Sequence, residues 1–143
     1  MGKYPPLEGG IAAKTYWLAR GLALRGHTIH IITNEPSAGC EYKIQGSENP
    51  PTKISNIWFH RSLDKIPWHL PEDNENAFSL LNTTLEVIRD HKIQLIDTGY
   101  LVPYGIVGYL AKKLTGISHV VRHGGSDIEK FLKKKFGTLY LTT

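Results

Sequence analysis

The chain has 143 residues, of which 41% are hydrophobic and 21% charged, a size and composition suited to one globular domain burying about two-thirds of its unfolded surface. No apolar run approaches the ~18 residues that a bilayer-spanning helix needs, and the start carries no secretory-leader pattern. The net charge of +4 is moderate, and aromatic residues do not interleave with the basic ones, which argues against nucleic acid as a partner.

Taken in chain order, the first informative segment is Tyr4-Pro5-Pro6-Leu7-Glu8-Gly9-Gly10. Two prolines stiffen the approach, and two glycines let the backbone turn tightly without a Cβ in the way. A helix predicted over residues 11–25 aims its free N–H groups and positive dipole end over that turn, where a phosphate fits. Gly-Gly before a helix is also an ordinary turn, so the motif needs support from the rest of the chain.

In that helix Trp17, Leu18, Leu22 and Leu24 lie near helical spacing, Trp17 is expected to pack on a sheet, and Gly26 is a fitting stop. Residues 28–33 (Thr-Ile-His-Ile-Ile-Thr) form a β-branched run that reads as a buried strand. Residues 34–52 and 62–72 read as loops, with a strand over 53–60 between them. From 74 to 91, Phe78, Leu81, Leu85 and Ile88 predict an amphipathic helix. A strand at 93–98, a helix at 103–114 stopped by Gly116, and a strand at 118–122 follow. A short helix at 127–135 is capped by Ser126 with Glu129 three residues on, and a last strand is expected at 138–142.

Strands alternating with helices predict an α/β, doubly wound parallel sheet with helices on both faces. A Gly-rich turn entering a helix usually follows a central strand, yet only three residues precede Tyr4; the first strand is apparently missing, and the expectation is that it lies upstream.

Three passages, in order, resemble the N-terminal, acceptor-side domain of family-four retaining glycosyltransferases, whose B-type fold pairs two Rossmann-like domains. They are Tyr4-Pro5-Pro6-Leu7-Glu8-Gly9-Gly10-Ile11-Ala12, residues 18–33 with their Arg25-Gly26-His27 turn, and Leu101 through Arg122-His123-Gly124-Gly125-Ser126-Asp127. The resemblance implies that residues 1–143 are one Rossmann-like domain lacking the C-terminal nucleotide-sugar domain. The complete enzyme would move a sugar from a nucleotide donor to a glycan or lipid-linked acceptor with retention, and this fragment alone would be inactive. By the same resemblance, Gly9 and Gly10 approach the donor diphosphate and His123 stands in the cleft as the catalytic candidate. Gly124, Gly125, Ser126 and Asp127 shape that cleft and cap the next helix, and the two loops help choose the acceptor. Relatives often place histidine directly before Gly-Ser-Asp, whereas Gly124 and Gly125 intervene here. They also often carry histidines after the fourth strand, where this chain has Asp97-Thr98-Gly99-Tyr100, making Asp97 and Tyr100 candidate sugar contacts.

Seven histidines raise the question of a metal. His119 and His123 are four apart but fall across a strand and its exit, and no Cys or carboxylate cluster completes a tetrahedral set. No metal and no cofactor is expected, the nucleotide-sugar being a substrate; His27 and His30 are assigned to backbone-satisfied core or edge positions. Trp58 and Trp68 suit either a sugar face or buried packing. A single cysteine, Cys40, cannot form an internal disulfide, which suits a cytoplasmic compartment. Lys130, Lys133, Lys134 and Lys135 form either a solvated helix face or a contact with acidic lipid at the inner membrane surface. The rival class is a non-catalytic Rossmann-like domain that binds a glycan or a partner protein through the same cleft. A dinucleotide oxidoreductase is disfavoured because the turn lacks Gly-x-Gly-x-x-Gly and only Glu35 stands near the place of a ribose-binding acid.

Overall fold

In a computed structural model, the described residues are 4, 10–33, 54–61 and 74–124. They fold as α1 (Gly10–Ala23), β1 (Ile29–Thr33), β2 (Ile57–Arg61), α2 (Asn74–Asp90), β3 (Leu95–Gly99), a wide turn (Leu101–Gly105), α3 (Ile106–Thr115) and β4 (Ser118–Arg122). The helix and strand predicted over 127–135 and 138–142 lie outside the described residues, as do the loops at 34–52 and 62–72.

All strand pairing is parallel. β1 pairs with β2, Ile31 opposite Phe59, and β3 pairs with β4, Asp97 opposite Val120. Among the described residues no ladder joins the two pairs. β2 starts later than the sequence suggests because Ile54, Ser55 and Asn56 are spent on a turn. The Asn56 amide donates to the carbonyls of Ala23 (2.9 Å) and His27 (2.6 Å), tying the end of α1 to the start of β2.

Helices cover both faces of β1. Ile31 packs with Tyr4, Tyr16 and Ala19 on the α1 side, joined by Ile29, Ile57 and Phe59. Its neighbour Ile32 points the other way, into Leu80 and Val87 of α2 and Tyr104 and Val107 toward α3. Leu80 and Val107 are essentially sealed from water, each worth about 1.5–3 kcal/mol of burial.

The helix faces differ from those expected. In α1 the buried stripe is Ala12, Tyr16, Ala19 and Ala23, while Trp17 and Leu24 are exposed at 58% and 74%. Trp17 thus packs edge-on against Tyr16 rather than on the sheet. Alanines let the helix approach the strands closely, which bulkier Leu and Trp would prevent. In α2 the buried positions are Asn76, Leu80, Thr84 and Val87, with Phe78 exposed. This stripe is rotated by about one residue from the expected one. Thr84 can lie in it because its hydroxyl donates to the Leu80 carbonyl at 2.6 Å, a local bond that removes the penalty of burial.

α3 ends where the sequence indicates. Gly116 takes a left-handed φ of 78° and donates its N–H to the Lys112 carbonyl, an αL cap that glycine makes without strain. On the other side of α3, His119 of β4 lies within 2.9 Å of the Thr98 hydroxyl of β3. Burial, and after it Lys112, holds this imidazole below its usual pKa, with Asp97 opposing. The unfolded chain therefore takes up the proton at higher pH than the folded one, so stability is full above about pH 6.5 and declines as pH falls below it. Thermal melts between about pH 8 and about pH 5.5 should show that decline, and His119→Asn should flatten it in part, because burial lowers the pKa of His30 and His60 as well; identical slopes would remove His119 from the account.

Candidate active-site cleft

The cleft forms where α1 begins and where β3 and β4 end. It encloses about 360 Å³ and is lined, among the described residues, from three directions. α1 contributes Gly10, Ile11 and Lys14; the exit of β3 contributes Gly99 and Tyr100; the exit of β4 contributes Arg122, His123 and Gly124. This is the carboxyl edge of a parallel sheet, where α/β folds bind ligands.

Gly10 and His123 therefore face one hollow, although they stand 113 positions apart in the chain. Tyr100 and Gly124 join them. Gly9, Gly125, Ser126 and Asp127 lie outside the described residues. Asp97 is not among the cleft-lining residues: its carboxylate accepts from Arg122 Nε at 2.6 Å across the β3–β4 pair. The Arg122 side chain is largely shielded and that of Asp97 half-buried, so the guanidinium is held from one side.

Four lining residues, Ile11, Lys14, Gly99 and Arg122, escaped the sequence reading. Lys14 sits one turn into α1, on the same face as Gly10, and Ile11 lies beside it; Arg122 directly precedes His123. The signal for Lys14 was the i, i+4 spacing from Gly10, and for Arg122 its place at a strand end beside a candidate histidine. The electrostatic result is one-sided. No Asp or Glu lines the cleft among the described residues, whereas Lys14, Arg122 and the N-terminus of a 14-residue helix do. Its first turn also carries no acidic residue to offset the dipole. Such a lining is basic, although part of the Arg122 charge is offset by Asp97.

The backbone at the cleft is strained. Tyr100 has φ 88° and ψ 145°, a region that costs a non-glycine residue about 1–3 kcal/mol and that clusters at ligand sites. It is held there because its N–H donates to the Arg122 carbonyl at 2.9 Å while its own carbonyl accepts from Gly105 N–H at 3.0 Å. The strain thus links the exits of β3 and β4. Tyr104, just behind, has its phenol pushed up to about 12 by burial and by the nearby Tyr100, so it stays neutral and supplies packing rather than acid–base chemistry. Trp58 is exposed at 56% and does not line the cleft.

A parallel α/β layer with a basic cleft at its carboxyl edge has that cleft where such folds commonly bind ligands. Residues 12–142 match the family described as glycosyl transferase 4-like, and the chain belongs to that family. The layer is accordingly a Rossmann-like unit of the B-type fold, as the three sequence passages indicated. Among individual proteins, the chain is similar to N-acetyl-alpha-D-glucosaminyl L-malate synthase of Bacillus anthracis, at 29% identity over 131 residues. That alignment covers 86% of this chain and 30% of the relative, so the chain spans about a third of that protein's length. No helix among the described residues is long and apolar enough to cross a membrane.

Proposed function

We propose that this chain is the acceptor-side half of a retaining glycosyltransferase that takes a sugar from a nucleotide donor. The observation that carries the reading is the convergence of Lys14, Arg122 and the α1 N-terminus on one cleft that also holds His123. When a nucleoside diphosphate departs, negative charge grows on its phosphate oxygens. Fixed cations and free N–H groups aimed there stabilise that charge more in the transition state than in the ground state. Gly10 permits the close approach, Arg122 is oriented by Asp97, and His123 faces the transferred sugar. No covalent nucleophile is needed from this half. Most of the nucleotide recognition is assigned to a second domain beyond these residues.

The acceptor was expected to be a glycan or a lipid-linked molecule. The name of the Bacillus anthracis relative adds a small hydroxy-dicarboxylate, and a cleft with two cations suits a carboxylate as well as a phosphate. The same reading places the protein in the cytoplasm, with Lys130, Lys133, Lys134 and Lys135 as the contact to an anionic inner membrane face; co-sedimentation with anionic vesicles tests it.

The test of function uses the full-length protein with a panel of nucleotide-sugars and both acceptor types. Turnover with the full-length protein and none with residues 1–143 alone is the expected pattern. His123→Ala in the full-length protein should lower kcat by about 10²–10⁴-fold, the usual range for a positioned catalytic group. An unchanged kcat would take His123 out of the site.

A further inference from the structure

We propose that His30, His60 and His91 form a transition-metal site, best suited to Zn²⁺, on the α2 side of the β1–β2 pair and outside the cleft. The three imidazoles come from three elements: His30 from β1, His60 from β2, and His91 from the turn just past α2. Each can present one ring nitrogen so that all three lie within 4.8 Å of one another.

One pair is already near the spacing of bound ligands, and the third ring lies beside it. His30 Nδ1 and His60 Nε2 face each other at 2.9 Å, and the ring centroids of His30 and His91 are 4.2 Å apart. Zinc–imidazole bonds of about 2.0–2.1 Å at a tetrahedral angle put two ligand nitrogens about 3.3 Å apart. Opening the His30–His60 pair by a few tenths of an ångström, with the His91 nitrogen closing in from within 4.8 Å, would admit the ion. Parallel register sets this arrangement: Ile32 lies opposite His60 and His30 opposite Trp58, so His30 and His60 project from one sheet face, two positions apart. That face is the one α2 covers, and the end of α2 delivers His91.

Three imidazoles and no carboxylate or thiolate in the cluster is a donor set that favours zinc, copper or nickel over magnesium or calcium. His91 is exposed while the other two are half-buried, which leaves a fourth, solvent-facing position for water or an exogenous ligand. The ion would cross-link β1, β2 and the end of α2, elements held together otherwise by strand pairing and apolar contact.

The experiment titrates the full chain, without a polyhistidine tag, with Co²⁺ and then Zn²⁺. The expected result is a visible ligand-field spectrum of four-coordinate Co²⁺ that saturates at one equivalent and is bleached by Zn²⁺. His91→Ala alters only an exposed side chain and should leave the circular dichroism unchanged, while weakening Zn²⁺ binding by at least about tenfold. His60→Gln should do the same, and Zn²⁺ should raise the thermal midpoint of the wild type but not of His91→Ala. An absent or six-coordinate Co²⁺ spectrum in the wild type would overturn the proposal, as would Zn²⁺ affinity that neither substitution changes.

Discussion

Replacing Arg122 with alanine is expected to lower kcat/KM of the full-length protein for its nucleotide-sugar by about 10²–10³-fold, the range seen when one fixed donor to a developing anion is removed. The expectation rests on where the guanidinium sits. It lines the cleft beside Lys14 and the α1 N-terminus, and its Nε is engaged by Asp97. Asp97→Asn provides the informative comparison. It keeps a side chain of the same shape but weakens the hold on Arg122, so it should reduce kcat/KM less than Arg122→Ala. Arg122→Lys should recover only part of the loss, because a lysine cannot bond Asp97 and present a second planar N–H pair at once. Measuring kcat and KM separately decides the matter. Loss in KM alone would make Arg122 a ground-state binding group, and no loss in either would remove it from the anion site.

A larger effect on stability is expected at Gly108. This glycine lies in α3 where the helix crosses β4, and Gly108 is buried. A Cβ built there would meet the His119 imidazole, coming within 2.8 Å of Cδ2 and of Cε1, well inside van der Waals contact. The ring has little room to retreat, since its Nε2 is bonded to the Thr98 hydroxyl. Gly108→Ala should therefore cost about 2–3 kcal/mol of overpacking, the upper part of the usual range because the added Cβ would lie deep inside contact, offset by about 1 kcal/mol of improved helix propensity. The net expectation is destabilisation by about 1–2 kcal/mol, read as a lower denaturant midpoint at unchanged slope. His119→Ala in the same background should give back most of the loss, because the obstructing ring is gone. A Gly108→Ala protein as stable as wild type would mean that α3 and β4 are not in the contact described.

These two sites also show how far the chain can be read without coordinates. The period of α2 was plain, and its bounds came within one residue, because a stripe of apolar residues every three or four positions is a local property. Which stripe turns inward was not plain. Phe78, Leu81, Leu85 and Ile88 form one apolar row, and Leu81 of it packs against the core, but the fully buried row is Leu80, Thr84 and Val87 with Asn76. A buried threonine is invisible to a hydrophobicity pattern when its hydroxyl bonds the preceding turn. In α1 the same error has another cause: small alanines give little hydrophobic signal, yet they let the helix sit close on the strands. The wide turn at Leu101–Gly105, where Val102 leaves helical geometry, likewise displaced the expected start of α3 by three residues.

The candidate cleft divides in the same way. Gly10 and His123 were legible because each stands at an element boundary with a local signature, a glycine turn into a helix and a histidine at a strand exit. Lys14 and Arg122 were not, since a basic residue on a helix or at a strand end is usually only solvated. The histidine cluster was missed for the opposite reason. Spacing along the chain directs attention to His119 and His123, whereas His30, His60 and His91 meet only through strand register and a helix end.

What the sequence determined by itself was the order of strands and helices among the described residues, their parallel pairing and the family, because these follow from local periodicity, turn chemistry and ordered motifs. The tertiary structure alone decided which helix faces are buried and which distant cations share the cleft. It also decided which histidines touch. Those outcomes depend on register and close packing between segments far apart in the chain, which no local pattern of residues encodes.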